Sequence, residues 1–261
     1  YDFDSEHPDS DGARPLHGAQ YFARFTQRLI SAFTTRTNYG VLYDVDMRLR
    51  PSGRAGPVAS HINSFADYQE HEAWTWEHMA LTRARVISSS PVFRNRIERV
   101  IRTILTRRRD VGLIASDVAE MRRAIALEKG EQDLWDLKHA AGGMVDIDFI
   151  AQYLQLVHAA DKPDILSVNT RQALNNAQRL GVLALPDAEI LRPAARLYHD
   201  LTQVLRLCVS DKFKPETAGD DLLRVMARAG DAPDFSALEA RVRDTQADVR
   251  GVFLRLMEGK T

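Results

Sequence analysis

Two aspartates and two arginines alternate along the segment 41–50, which has the period-two pattern of a β-strand. Asp44, Asp46, Arg48 and Arg50 share one face of this predicted strand, and apolar residues occupy the other face. The two carboxylates would lie about 6.5 to 7 Å apart along the strand. Carboxylate oxygens suit Mg²⁺ and guanidinium groups match phosphate oxygens, so the row predicts a metal and phosphate site. A solvent-facing strand with ordinary cross-strand ion pairs is the alternative.

The segment 43–53, YDVDMRLRPSG, resembles the hallmark strand of the glutamine synthetase adenylyltransferases. These enzymes are nucleotidyltransferases, whose active site combines a Gly-Ser turn, a paired Asp-x-Asp and a third carboxylate on a later strand. The resemblance implies that Asp46 is this third carboxylate and a ligand of Mg²⁺. It makes Asp44 the second candidate for a catalytic residue.

The Gly-Ser turn and the Asp-x-Asp of that family are expected immediately before Tyr1, where the chain has no counterpart. Asp2 and Asp4 form an Asp-x-Asp of their own, but no Gly-Ser precedes them, and they are assigned no role. The chain therefore resembles the C-terminal, adenylylating half of the family, truncated at its N-terminus. We expect the isolated chain to be inactive.

Arg83 and Arg85 lie in the segment 73–86, AWTWEHMALTRARV, which has a helical pattern. This segment resembles the motif that follows the catalytic strand in the C-terminal half of the family. By resemblance, both arginines are candidates for the triphosphate or target-protein side of the cleft, and structural salt bridges are the alternative. Trp74 and Trp76 are expected to pack in a core or between domains.

Lys138 and a Gly-Gly pair precede a strongly apolar predicted helix in the segment KHAAGGMVDIDF. Glycines allow close backbone approach and a helix N-terminus favours anions, so a phosphate could dock there. Alternatively, Gly142 and Gly143 permit a tight turn and close helix packing. The segment also resembles the family's junction with its helical domain, which makes Lys138 a candidate for binding nucleotide phosphate. Asp146 and Asp148 do not face each other on a helix and form a poor metal pair.

The elements that must position these residues are mostly helices. Apolar spacing predicts helices at 21–34, 64–86, 91–107, 116–127, 144–159, 170–180, 187–209, 217–229 and 236–257. The predicted N-caps include Ser64, Ser116, Asp187 and Ser236. The expected fold class is α+β and predominantly α. Residues 1–90 form the remnant of a nucleotidyltransferase α/β domain without its Gly-Ser/Asp-x-Asp segment, and residues 91–261 form an all-helical bundle domain, with helix 91–109 as a candidate linker.

Composition limits the classes of function. The 261 residues include 44% hydrophobic and 27% charged residues with a net charge of -1, so no global basic field favours nucleic acid or an anionic membrane. The single cysteine, Cys208, excludes an internal disulfide and is predicted to lie in the core. No apolar run reaches the roughly 20 residues that span a bilayer. We expect a cytoplasmic protein.

The resemblance implies an enzyme that transfers AMP from ATP, with Mg²⁺, to a tyrosine of glutamine synthetase and releases pyrophosphate. In such enzymes the N-terminal half removes AMP by phosphorolysis, and glutamine and the PII signalling protein regulate the two activities. An alternative is a helical binding module that docks glutamine synthetase or the PII protein. A third reading is a nucleotidyltransferase that uridylylates the PII protein, and the segments 43–53 and 73–86 argue against it.

Overall fold

The computed structural model describes residues 1–3 and 6–259, and helices dominate this part of the chain. The helices are α1 Gly18–Thr34, α2 Ile62–His71, α3 Thr75–Leu81, α4 Pro91–Leu105, α5 Val111–Lys129, α6 Met144–His158, α7 Thr170–Arg179, α8 Leu185–Cys208, α9 Asp220–Ala229 and α10 Phe235–Glu258. The predominantly α character expected from the sequence is confirmed. No helix of the described residues combines the length and apolarity needed to cross a membrane.

The chain divides into two compact units. The first unit comprises Tyr1–Leu81 and Arg85–Ile104, and the second comprises Thr82–Ala84 and the chain from Leu105 onward. Helix α4 thus groups with the first unit, whereas the sequence separates the domains at residue 90 and treats helix 91–109 as a candidate linker. The division into a nucleotidyltransferase remnant and a helical domain stays a prediction.

The strand predicted at 41–50 is wrong for this structure. These residues form an irregular loop, and the extended pairing found among the described residues is limited to single bridges between Asp9 and His17 and between Thr37 and Gly40. A strand without neighbours leaves its backbone groups unpaired and is not stable alone. In the loop, the Asp46 carboxylate instead accepts a hydrogen bond from the Arg48 backbone N–H at 2.9 Å, a local bond that competes with extended structure.

The helix predicted at 64–86 consists of two shorter helices, α2 and α3, and the chain leaves helical geometry between them. The break places Trp74 before α3 and leaves its side chain 70% exposed, while Trp76 is 41% exposed. Packing of these tryptophans in a core is therefore wrong, and packing between domains stays a prediction. Cys208, the last residue of α8, is also exposed rather than buried.

In the second unit, α6 packs against α5, α7, α8 and α10. Its apolar residues point in several directions, and Ile150, Leu154 and Leu156 are at most 2% exposed. A helix that is apolar on all sides belongs in a core, where each large side chain contributes about 1.5 to 3 kcal/mol on burial. Packing therefore fixes the position of α6. Residues that bond to α6 are held in place through it.

Candidate functional site

Asp46 lies in the loop that replaces the predicted strand, and its carboxylate faces the Arg48 side chain. The Arg48 Nε and Nη2 atoms donate to Asp46 Oδ2 at 2.9 and 2.7 Å, in addition to the backbone bond. The Arg48 side-chain hydrogen bonds, followed by the backbone bond, lower the pKa of Asp46 to about 2. The carboxylate is exposed and ionised at neutral pH, and a guanidinium group already occupies both of its oxygens.

The Arg50 side chain forms hydrogen bonds to backbone groups of the neighbouring residues. Its guanidinium group donates to the carbonyl oxygens of Met47 at 2.9 Å, Gly56 at 3.2 Å and Arg54 at 3.3 Å. These bonds hold residues 47–56 together around the Arg50 guanidinium group. In this conformation the donors of Arg50 meet backbone oxygens, and its role in phosphate binding stays a prediction.

The residues of this loop do not by themselves make a magnesium site. Asp44 and Asp46 are exposed, and no group of three or more His, Cys, Asp or Glu side chains within the described ranges could hold a metal ion. A Mg²⁺ ion bound through protein groups generally uses one or two carboxylates together with substrate phosphates and water. Asp46 can offer one such oxygen once Arg48 releases it, but the described residues alone do not complete a resident site.

Arg83 and Arg85 follow the end of α3 at Leu81 and are therefore not helical, contrary to the sequence prediction. Arg83 belongs to the second unit, where its Nη1 atom lies 3.0 Å from a carboxylate oxygen of Asp148 on α6. The Thr170 hydroxyl donates to the other oxygen of Asp148 at 2.6 Å. Arg83 thus forms the structural salt bridge that the sequence left open as the alternative. Arg85 is exposed, and the phosphate roles of both arginines stay predictions.

The Lys138 side chain is exposed in the turn that leads into α6. The first amides of α6 are already bonded to the protein: Met144 N–H donates to Leu137 O at 2.9 Å and Val145 N–H donates to Lys138 O at 3.1 Å. Gly143 N–H donates to Ala140 O at 2.8 Å. A phosphate therefore does not find free amides at this helix N-terminus, and the ammonium group of Lys138 is the part of the motif that can meet one.

The two glycines of this turn are required by packing. Gly142 has φ +78°, and a Cβ atom there would lie 1.8 Å from the backbone oxygen of Gln246 on α10. A Cβ atom on Gly143 would lie 2.8 Å from the oxygen of Leu137. Contacts this short exclude a side chain. The alternative from the sequence, a tight turn with close helix packing, is confirmed.

A buried ionic network behind this turn was missed from the sequence. Arg122 of α5 and Asp146 of α6 are 1% and 0% exposed and form an ion pair. Arg250 of α10 lies 3.4 Å from Asp146, and Glu131 lies 3.3 Å from Arg122. The signal was present: Asp146 lies within an apolar run, and a carboxylate buried in such a helix needs charged partners.

The structure brings some of the predicted site residues together within each unit. In the first unit, Asp46 and Arg48 form one contact pair. In the second, Arg83 and Lys138 both attach to the start of α6, through Asp148 and through the Val145 amide respectively. The contact of Lys138 is made by its backbone carbonyl, whereas that of Arg83 is made by its side chain, so the structure does not pair the two cationic groups.

Comparison with known proteins covers almost the whole chain. Residues 1–100 match the family model described as glutamate-ammonia ligase adenylyltransferase, and residues 116–257 match the model described as GlnD PII-uridylyltransferase. A relative from Rhodopseudomonas palustris strain HaA2 is 80% identical over 259 residues, which is 99% of this chain. Relatives from Bradyrhizobium sp. strain ORS 278 and Xanthobacter autotrophicus are 78% and 56% identical over 99% of the chain. All three are named bifunctional glutamine synthetase adenylyltransferase/adenylyl-removing enzyme.

The chain belongs to the glutamine synthetase adenylyltransferase family. Its match to the uridylyltransferase model falls in the second unit, and the relatives named adenylyltransferase align over that region too. The helical second unit of this chain is therefore similar to a region that the uridylyltransferase model describes. The chain spans 26% of the length of these relatives.

Proposed function

We propose that this chain is part of an enzyme that transfers AMP from ATP to a tyrosine of glutamine synthetase and, in its full length, also removes it by phosphorolysis. The observation that carries the proposal is the alignment of 99% of the chain with relatives named for both activities. The segment 43–53, which carries Asp46, lies within the part that matches the adenylyltransferase model. The tyrosine target and ATP come from this family membership.

Asp46 is proposed as the catalytic carboxylate of the chain, with Asp44 beside it. Its low pKa keeps Asp46 ionised at working pH. Because Arg48 holds Asp46 through an exposed contact, Arg48 can exchange this carboxylate for a phosphate oxygen of ATP without a change in the core. Arginine groups at the phosphates, with Arg50 and Arg83 as further candidates, would stabilise charge that develops during transfer. Mg²⁺, if bound at Asp46, would supply charge neutralisation at the phosphates.

Glutamine synthetase is the proposed target, and the PII signalling protein and glutamine are proposed regulators. The match of residues 116–257 to a PII-uridylyltransferase model supports a link between the second unit and the PII system. No surface of this unit is assigned to either regulator.

The test is transfer of radiolabelled AMP from ATP to glutamine synthetase by the full-length protein that contains this segment. Asp46→Asn should lower the rate by about 100-fold or more, because it removes a charge at the reacting phosphate. Asp67→Asn is the matched control, because Asp67 is also an exposed carboxylate beside a nitrogen-bearing partner, with His71 Nδ1 at 3.2 Å, and should leave the rate unchanged. Full transfer by a folded Asp46→Asn protein would refute the role of Asp46.

A second candidate is a binding module that docks glutamine synthetase or the PII protein. The observation that favours it is the state of Asp46, which is paired with Arg48 and belongs to no metal-binding group of three or more His, Cys, Asp or Glu side chains among residues 1–3 and 6–259. For this chain alone, the module predicts binding to glutamine synthetase that Asp46→Asn does not alter, and no Mg²⁺-dependent affinity for ATP. Mg²⁺-dependent ATP binding that Asp46→Asn abolishes would exclude the module as the sole function.

A further inference from the structure

The turn that carries Lys138 is held by buried groups from several helices. The Arg122 Nη2 atom donates to the carbonyl oxygens of His139 at 3.0 Å and Ala140 at 3.1 Å, the two residues that follow Lys138. The Nε atom of the same guanidinium pairs with Asp146. Arg122 therefore connects α5, the turn and α6 through one side chain.

Asp146 fixes the other end of the turn. Its Oδ2 atom accepts the Gly142 N–H at 2.6 Å and faces Arg250 of α10 at 3.4 Å. The Tyr198 hydroxyl on α8 donates to Gly142 O at 2.9 Å. Burial, and then the charges of Asp146 and Asp248, raise the pKa of Tyr198 well above its ordinary value, so this donor stays protonated. Both backbone groups of Gly142 are thus held.

This network is not the arrangement that stability alone would favour. Two charged groups taken out of water lose hydration, and apolar residues of similar volume often stabilise a fold equally well or better. Moreover, Arg122 Nη1 is buried and has no hydrogen-bond partner among the described residues, which adds a desolvation cost. A buried ionic network retained despite such costs is more readily explained by the geometry that it imposes.

The buried network fixes the backbone on both sides of Lys138. The Lys138 ammonium is exposed and forms no ion pair with any residue in the described ranges, while the carbonyl of Lys138 accepts the Val145 N–H. The side chain that could meet an anion is therefore mounted on a backbone fixed on both sides. We propose that Arg122 and Asp146 are positioning residues that hold the turn 138–143 so that Lys138 binds a phosphate of ATP. The inference rests on the proposed function, because it takes Lys138 as an ATP-binding residue.

The test measures KM for ATP and kcat of AMP transfer in the full-length protein, with thermal denaturation of each variant. Lys138→Ala should raise KM for ATP by about 10-fold, as expected for one charge-assisted hydrogen bond. The double variant Arg122→Met with Asp146→Leu removes the pair without leaving a lone buried charge and should stay folded. It should raise KM for ATP by about 5-fold or more with a smaller change in kcat, because ATP binding then has to order the turn.

The decisive readout is additivity. Adding Lys138→Ala to the double variant should produce no further rise in KM, because the network acts through that lysine, whereas independent effects multiply. Tyr198→Phe provides a milder variant that keeps the aromatic ring and removes one bond to the turn; it should raise KM for ATP by about 2-fold. Amide hydrogen exchange at Gly142 and Gly143 should accelerate in Tyr198→Phe and in the double variant Arg122→Met with Asp146→Leu.

The outcomes separate the two proposals. A folded double variant with an unchanged KM for ATP, or KM effects that multiply with those of Lys138→Ala, overturns the positioning role. A normal KM in Lys138→Ala also overturns it, but it leaves the proposed function standing, since that function is tested by Asp46→Asn.

Discussion

At the scale of single residues, Asp46 and Arg48 show that a sequence can indicate which side chains are candidates for a site. It does not indicate which contacts these side chains make. The alternation of Asp44, Asp46, Arg48 and Arg50 predicts a row of parallel side chains on one face of a strand. In the structure Asp46 and Arg48 contact each other, because an aspartate readily bonds the backbone N–H two residues later. The candidate residues could be predicted from their types, whereas their geometry depended on an element that does not form.

The ion pair should control the pKa of Asp46. Arg48→Gln should raise this pKa from about 2 toward its ordinary value of 3.8, measured by NMR titration of the side-chain carboxyl group. The pKa is lowered in the folded protein, so the pair's contribution to stability is present above pH 3.8 and is lost as the pH falls toward 2. Arg54→Gln is the control, since Arg54 is the weakest of the causes and should shift the pKa less.

Substitution of Gly142 should cost more stability than substitution of Gly181, although both have positive φ. Gly142→Ala should lower the free energy of unfolding by about 3 kcal/mol or more, because it combines left-handed backbone strain with a clash against Gln246 O. Gly181→Ala provides the control: Gly181 has φ +68° but nothing within 4 Å of a Cβ atom, so strain alone of about 1 to 2 kcal/mol is expected. Equal losses in urea unfolding would contradict the close packing of this turn.

At the scale of elements, helix interiors and several helix ends followed from the sequence pattern: α4, α6 and α7 begin at Pro91, Met144 and Thr170, as predicted. The predicted N-caps Ser64, Ser116, Asp187 and Ser236 are wrong; the observed N-caps are His61, Asp110, Ala184 and Asp234. A cap depends on where the backbone turns: three of these caps use a polar side chain, whereas Ala184 forms no side-chain capping bond. The gap between α2 and α3 was missed for a related reason, because no Gly or Pro marks it.

Glu77 holds that gap in place. It is only 6% exposed, and its carboxylate accepts the Tyr68 hydroxyl at 2.9 Å and the Trp74 N–H at 2.9 Å. Glu77→Ala should destabilise the first unit by about 2 kcal/mol, since it removes a helix-capping bond and the hydrogen bond to the half-buried Tyr68 hydroxyl. Denaturation followed by tryptophan fluorescence reports on this region directly, because Trp74 and Trp76 flank the bonds. Glu77→Gln retains an acceptor and should lose less; an equal loss would argue that the bonds are unimportant.

At the scale of the whole molecule, the apolar core is unevenly distributed. Among the described residues, the fully buried apolar side chains of the first unit are Ile62, Met79, Leu81 and Ile104, and all others belong to the second unit. On α1, Tyr21, Phe25 and Leu29 are between 42% and 52% exposed. Core burial supplies most of the free energy of folding, so the two units should differ in stability.

Hydrogen exchange in the native protein should reveal this difference. Amides in α6 and α8 should exchange most slowly, through global unfolding of the second unit, and amides in α1 should exchange faster by local opening. Within the second unit, the half-exposed helix α9, which buries Met226 and Ala227, serves as a control for partial solvent exposure and should fall between these extremes. Protection of α1 equal to that of α6 would contradict a weaker first unit.

The close approach of Gly142 to α10 also has a consequence at the level of the gene. Any change in the first two bases of a glycine codon either introduces a residue with a Cβ atom or stops translation, and a Cβ atom here meets the oxygen of Gln246. Changes in the third base are silent. In a saturation library of the gene, functional clones should therefore retain the first two bases of the Gly142 codon. The codon of Gly181 should accumulate substitutions. One contact in the protein thus restricts the DNA sequence that encodes it.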